Sequence, residues 1–244
     1  MSTRVAATTT TAAPAAPALT GGKRGAAYND ASLLAAYEGH SEVSWCYNWG
    51  NNPSGSTSGL EYVPMLWGRK YVGGWDSAIK SAIANGAKAA LFYNEPDNDG
   101  QANIDPIDAA NDYKQYMMPY KGQVLLGGPA VTNGGAPVGL TWLTSFISAC
   151  DGCHFDFIPV HWYSDASATS YFESYMEQFH SSVDLPLWIT EFAPSSGDAS
   201  SFLETVLPFL DSTDYIQRYS YFMTADGILT QNGGLSSLGQ TYAA

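Results

Sequence analysis

Positive charge is scarce in this 244-residue chain: ten Lys and Arg stand against 23 Asp and Glu, a formal balance of -13 at pH 7. Such a field repels phosphate, which argues against nucleic acid, anionic lipid surfaces and phosphorylated ligands as partners. Charge of either sign is thin, at 14% of residues, well below the roughly 25% of an average globular domain. Long apolar runs are missing too. None approaches the roughly 18 residues of a membrane span, so no membrane partner is expected. Cysteine is limited to Cys46, Cys150 and Cys153. An odd number cannot all pair within one chain, and no second CxxC or spaced His pair completes a zinc site. Cys150 and Cys153 leave two readings open, a local disulfide in an oxidising compartment or two reduced thiols, while Cys46 in its apolar stretch reads as a buried thiol. Neither GxGxxG nor GxxxxGK[ST] follows the first β-rich run, which weighs against a nucleotide-binding doubly wound sheet.

Apolar residues at 45% are enough for a substantial core, and the aromatic share of 14%, with seven Trp and sixteen Tyr, suits ligands with flat apolar faces such as sugar rings. The start, Met1 to Thr20, is almost entirely Ala, Thr, Pro and Ser. It lacks the apolar stretch of a secretory signal and is expected to be a disordered linker or tail, with residues 21–244 forming one domain. Within that domain, β-rich runs alternate with helical patterns. Strands are expected near Lys23–Tyr28, Val43–Asn48, Glu61–Leu66, Lys88–Asn94, Gln123–Gly127, Phe157–His161, Leu187–Glu191 and Ile216–Phe222. Helices are expected at Ala31–Tyr37, Trp75–Ala84, Ile107–Met117, Leu140–Cys150, Ala168–Phe179 and Ala199–Leu210, with Asp30 and Asp198 as N-caps and Asn85-Gly86 as a stop. The stretch Asn51 to Gly59 is all turn chemistry and leaves no room for a helix in the second unit. The fold class that results is α/β, a compact and slightly abbreviated (β/α)8 TIM barrel.

Chemistry in such a barrel sits at the C-terminal ends of the strands. Two carboxylates occupy those ends. Glu95 closes KAALFYNEP before Pro96, and Glu191 closes the apolar run of LPLWITEFA. A glutamate at the end of a buried strand is costly without a partner or a task, and Arg69 and Arg218 are the scarce arginine partners available. Strands four and seven face each other closely enough for two glutamates to flank one glycosidic bond, one protonated and one ionised. The pattern Glu95-x-Asp97-x-Asp99-Gly100 looks like half a calcium loop, but the twelfth position is Pro106, so it reads as a loop. Neither a metal nor a cofactor is expected.

The segments SWCYNW, FYNEPD, LLGGPA, IPVHWYS, LWITEFA and YSYFM, in order between Lys23 and Leu229, resemble glycoside hydrolase family 128, compact barrels of the retaining clan acting on β-1,3-glucan. The resemblance implies a retaining endo-β-1,3-glucanase with Glu95 as acid/base and Glu191 as nucleophile. Asn94 would hold the sugar 2-hydroxyl, and His161 or Tyr163 would donate to Glu191 or Glu95. Strand two supplies no arginine near the nucleophile, as many clan members do, which leaves Asn48 as its polar candidate. Trp45, Trp49, Trp67, Trp162, Tyr221 and Phe222 fall near strand ends as candidate sugar platforms, with Trp67 and Trp162 foremost. The partners implied are β-1,3-glucan or laminari-oligosaccharides, acted on by a monomer in an extracellular or cell-wall setting. Two other readings stand beside it: a non-catalytic glucan-binding barrel, against which both glutamates argue, and a same-clan hydrolase of mannan, xylan or cellulose.

Overall fold

The computed structural model describes residues 17–244. Eight parallel strands appear in the expected order: β1 (Arg24–Tyr28), β2 (Val43–Tyr47), β3 (Glu61–Tyr62), β4 (Ala89–Ala90), β5 (Leu125–Leu126), β6 (Ile158–Asp165), β7 (Leu187–Ser196) and β8 (Ile216–Thr224). Six of them form one sheet in the order β3-β2-β1-β8-β7-β6, so the last strand returns beside the first, and β4 pairs with β5. Single parallel bridges, Met65 to Leu91 and Gly127 to Phe157, connect these two sheets edge to edge. This is the α/β architecture expected from the alternating pattern, with strands four and five reduced to two-residue ladders.

Helices α1 (Trp75–Ala84), α2 (Pro106–Tyr116), α3 (Leu140–Ala149), α4 (Thr169–Val183) and α5 (Ala199–Ser212) follow β3 to β7. Asp198 caps α5 by accepting from the Ser200 N–H, and Asn85 with left-handed Gly86 ends α1. The first unit differs from the expected α-helix: Ala31–Tyr37 is a 3-10 helix, capped by Asp30 as foreseen. The second unit has no helix. The space between the 51–59 loop and α1 is a groove of about 800 Å³.

Two apolar layers hold the strands. One takes Ala27, Trp45, Tyr47, Val63, Met65, Ala89, Leu91, Phe157, Trp188 and Met223, all from strands or their extensions, and is therefore the layer the strands face in common. The other lies between strands and helices and contains Phe92, Trp162, Phe172, Phe202 and Tyr221. Arg218, whose guanidinium sits 4.7 Å from the Trp188 ring centroid, is fully buried and paired with Glu61. Of the expected tail, residues 1–16 lie outside the described residues, and Leu19 packs on the strand-enclosed layer. Cys150 and Cys153 form a disulfide, and Cys46 is a buried thiol.

At the C-terminus the structure adds what sequence patterning had not given: a hairpin of β9 (Thr230–Gln231) and β10 (Gly234–Leu235), then α6 (Ser237–Ala243). The Tyr242 hydroxyl donates to the Gly25 carbonyl at 2.8 Å and ties α6 to the first strand.

Candidate active site

Glu95 leaves strand four with φ at 41°, in the left-handed region that side chains other than glycine rarely occupy. Its N–H donates to the Ala130 carbonyl at 2.7 Å, while the preceding Asn94 N–H donates to Trp67 at 3.0 Å. Strand four is thus held on both sides as it ends, and the turn directs the carboxylate inward. Glu191 lies within β7, and the parallel register of β6 and β7 places it opposite His161. Both carboxylates are buried, at 8% and 6% exposure.

His161 joins them. Its Nδ1 is 2.9 Å from Glu95 Oε1, while Nε2 is 3.0 Å from Thr190 Oγ1 and 3.5 Å from Glu191 Oε1. Tyr163, two residues on and on the same strand face, donates its hydroxyl to Glu191 Oε2 at 2.6 Å. The Trp49 indole N–H donates to Glu191 Oε1 at 2.7 Å, and Asn98 Nδ2 donates to Glu95 Oε2 at 2.9 Å. One carboxylate oxygen of each glutamate and one nitrogen of His161 lie within 4.8 Å of one another. Each nitrogen of that imidazole is already engaged by a carboxylate or a hydroxyl.

The electrostatics follow from this crowding. Burial pushes the Glu95 carboxyl up, but the His161 and Asn98 bonds outweigh it and leave it below the ordinary 4.5. Burial pulls the His161 imidazole down, but the Glu191, Glu95 and Asp97 charges hold it above the ordinary 6.5. Burial next to Glu191 drives the Tyr163 phenol far up, so it remains a donor.

Above the carboxylates opens a cleft of about 790 Å³, bordered by Trp49, Trp67, Asn94, Gln101, Asn133 and Phe222. Asn94, at 3% exposure, points an Oδ1 that has no hydrogen-bond partner among the described residues. The structure therefore brings together Glu95, Glu191, Asn94, His161, Tyr163 and Trp67.

Four other expected site residues lie elsewhere. Trp162 is fully buried and stacks on Phe202 at 5.4 Å in the layer between strands and helices, because it alternates with the inward-facing His161 and Tyr163. Tyr221 alternates with cleft-lining Phe222 in the same way and packs on Phe192 at 5.5 Å. Asn48 is consumed by its own loop: its Oδ1 accepts from the Tyr62 hydroxyl and the Gly50 N–H, and its amide donates to the Asn52 carbonyl. The polar contact expected of it is made by the next residue, Trp49, whose φ of 57° turns the indole toward Glu191. Trp45 is buried in the strand-enclosed layer.

The family model described as the glycosyl hydrolase catalytic core matches residues 25–242. A curated relative, alkali-sensitive linkage protein 1 of Schizosaccharomyces pombe, is 32% identical over 91% of this chain; the chain spans 44% of that relative's length. Among solved structures, a curdlan-specific exo-β-1,3-glucanase of Blastomyces gilchristii, in complex with glucose, shares 42% identity with a TM-score of 0.85, covering 91% of this chain and 97% of that one. An endo-β-1,3-glucanase variant of Amycolatopsis mediterranei, in complex with laminaripentaose, shares 32% identity with a TM-score of 0.78, covering 92% and 99%. Both are members of glycoside hydrolase family 128. With the family model spanning nearly the whole of the described chain and these neighbours matching along their full length, the chain belongs to glycoside hydrolase family 128.

Proposed function

We propose that this chain hydrolyses β-1,3-glucan with retention of configuration, Glu95 serving as acid/base and Glu191 as nucleophile. The observation that carries the reading is the Glu95–His161–Glu191 cluster, whose ligand atoms lie within 4.8 Å of one another beneath the cleft. Retaining glycosidases hold their two carboxyl groups about 5 to 5.5 Å apart, whereas inverting ones leave roughly 6.5 to 9.5 Å for a water.

In the first step a Glu191 oxygen attacks the anomeric carbon as the glycosidic bond breaks, and the leaving oxygen takes a proton from Glu95. In the second, Glu95 removes a proton from water, the hydroxide attacks the same carbon, and Glu191 departs as carboxylate. His161 Nδ1 lies 2.9 Å from Glu95 Oε1, so a single hydrogen bond links the imidazole to the acid/base carboxyl. Trp49 and Tyr163 hold both Glu191 oxygens, which aims the nucleophile. Asn94, a cleft residue whose Oδ1 lacks a partner among the described residues, would hold a sugar hydroxyl, a contact that strengthens as positive charge develops on the ring. Trp67 supplies a stacking face at the cleft border.

The glucan linkage rests on the family neighbours, which act on β-1,3-glucans. Internal cleavage is the reading we favour, in line with the endo-acting neighbour that is 32% identical. Exo action is the second reading, favoured by the 42% identity to an exo-acting enzyme. An extracellular or cell-wall setting fits the Cys150–Cys153 disulfide and a polymeric substrate. Incubation with laminarin, mannan, xylan and cellulose, followed by product sizing, tests all of this. A ladder of laminari-oligosaccharides from laminarin supports endo action, glucose alone supports exo action, and turnover confined to another polymer refutes the substrate. Glu95→Gln should abolish laminarin turnover with the fold intact; near-normal turnover would remove Glu95 from its role.

A further inference from the structure

A second depression, of about 450 Å³, runs down the outer surface between α3 and α4, and it meets the catalytic cleft at a shared border, Asn133 and Gly134. Nothing tall stands on that border. The Asn133 side chain is folded back, its amide donating to the Tyr163 carbonyl at 3.0 Å and its oxygen accepting from the Tyr163 N–H at 3.2 Å. Gly134 carries no side chain and has no room for one, since an added Cβ would lie 2.5 Å from Val138 Cγ2, whereas Gly135 faces open space.

The groove beyond is chemically distinct from the rest of this acidic surface. No Asp, Glu, Lys or Arg lines it; its polar groups are the hydroxyls of Thr141, Thr144, Tyr171 and Tyr175 and the amides of Asn133 and Gln178. Tyr171 stands on its wall 45% exposed, one of three large apolar side chains so exposed among the described residues. Its ring is backed by Tyr175 at 5.8 Å and Trp162 at 6.1 Å, so it is a firm platform rather than a loose side chain. An uncharged groove with hydroxyls, amides and one supported aromatic face suits a neutral polyhydroxylated ring and offers nothing to an ionic partner.

We propose that the α3/α4 groove is an auxiliary glucan-binding site, in which a β-1,3-glucan chain held in the cleft continues across the Asn133–Gly134 border and lays a glucosyl ring on Tyr171. This rests on the β-glucan reading of the cleft. The groove would then add affinity for long chains and give nothing to short ones held by the cleft.

The test is calorimetry in a Glu191→Gln background, so that no ligand is consumed, with laminaritriose and laminarin as probes. Tyr171→Ala should weaken laminarin binding about tenfold relative to the parent and shift laminaritriose binding less than twofold, and Tyr171→Phe should restore the laminarin affinity. Because Tyr171 is half exposed, the alanine variant is expected to fold, and its circular dichroism melt verifies this. Unchanged laminarin binding in Tyr171→Ala, or an equal loss for both ligands, overturns the groove. If the Glu191→Gln parent binds neither probe, the β-glucan reading falls and the groove proposal falls with it.

Discussion

Trp49 and Glu95 are each placed by a backbone conformation that side chains rarely tolerate, with φ of 57° and 41°. Such positions persist where the surroundings over-determine them, here the indole bond to Glu191 and the Ala130 and Asn98 bonds around Glu95. Trp49→Phe keeps most of the ring and removes the donor to a carboxylate oxygen, a bond worth about 1.5 to 3 kcal/mol. We expect kcat/KM to fall by roughly tenfold or more and the melting temperature to drop by several degrees, as steady-state assays beside a thermal melt would show. A second residue-scale prediction concerns pH. His161 is faced by Glu95, Glu191 and Asp97, with the Tyr163 and Tyr47 phenols next to the same carboxylates. Its raised folded value contributes stability below about pH 6.5 that is lost as pH rises through that value, and the lowered Glu95 value contributes stability above about 4.5 that is lost on acidification. Stability from the pair should therefore be greatest between these limits, and a pH series of unfolding midpoints should be flatter for His161→Gln than for wild type. At this scale the two glutamates were legible because a carboxylate ending an apolar run is costly. The misplaced aromatics were legible in principle as well: if His161 and Tyr163 share a face, alternation turns Trp162 away, and the same rule separates Phe222 from Tyr221.

At the scale of elements, the loops after strands four and five are held to each other by one side chain. Asp97 accepts from the Thr132 N–H, the Thr132 hydroxyl at 2.6 Å and the Gly139 N–H at 2.8 Å. The acidic spacing that looked like half a calcium loop is therefore, at Asp97, a clamp for backbone donors. Because Asn133 follows Thr132 and holds Tyr163 through its backbone, the clamp also reaches the donor to Glu191. Asp97→Ala leaves those donors unpaired and should destabilise the chain by about 1 to 3 kcal/mol in urea unfolding. Asp97→Asn keeps an acceptor oxygen and should cost less; equal loss for both would place the effect in the charge instead. Most elements were readable from period and punctuation, including the absence of a second helix, which the turn residues of 51–59 dictate. The short ladders of β4 and β5 were not, since periodicity marks an extended apolar run without saying how much of it pairs. The C-terminal hairpin carried a signal that patterning passed over: Asn232-Gly233, with φ of 53° and 80°, forms its two-residue turn.

Charge is the property of the whole molecule that bears most directly on what it binds. With a formal balance of -13, the field around the chain disfavours any anionic polymer, while the cleft border of Trp49, Trp67, Asn94, Gln101 and Phe222 makes no use of counter-charge. The three arginines among the described residues are committed elsewhere, Arg24 to Asp211, Arg69 to Asp108 and Asp112, and Arg218 to Glu61. Association with a neutral glucan should then be nearly insensitive to salt, since screening acts on charges that the ligand lacks. We expect kcat/KM on laminarin to change less than about twofold between low and roughly half-molar sodium chloride. A carboxymethylated β-1,3-glucan of matched length should behave differently. Its charges meet a repulsive field that fades as the Debye length shortens, so its rate should be depressed at low salt and recover as salt is added. Parallel salt titrations of the two polymers measure this. A strong salt dependence on laminarin itself would mean that charged groups take part in holding the neutral chain, and would shift attention to Lys70, whose ammonium lies 4.4 Å from the Trp67 ring centroid at the cleft border.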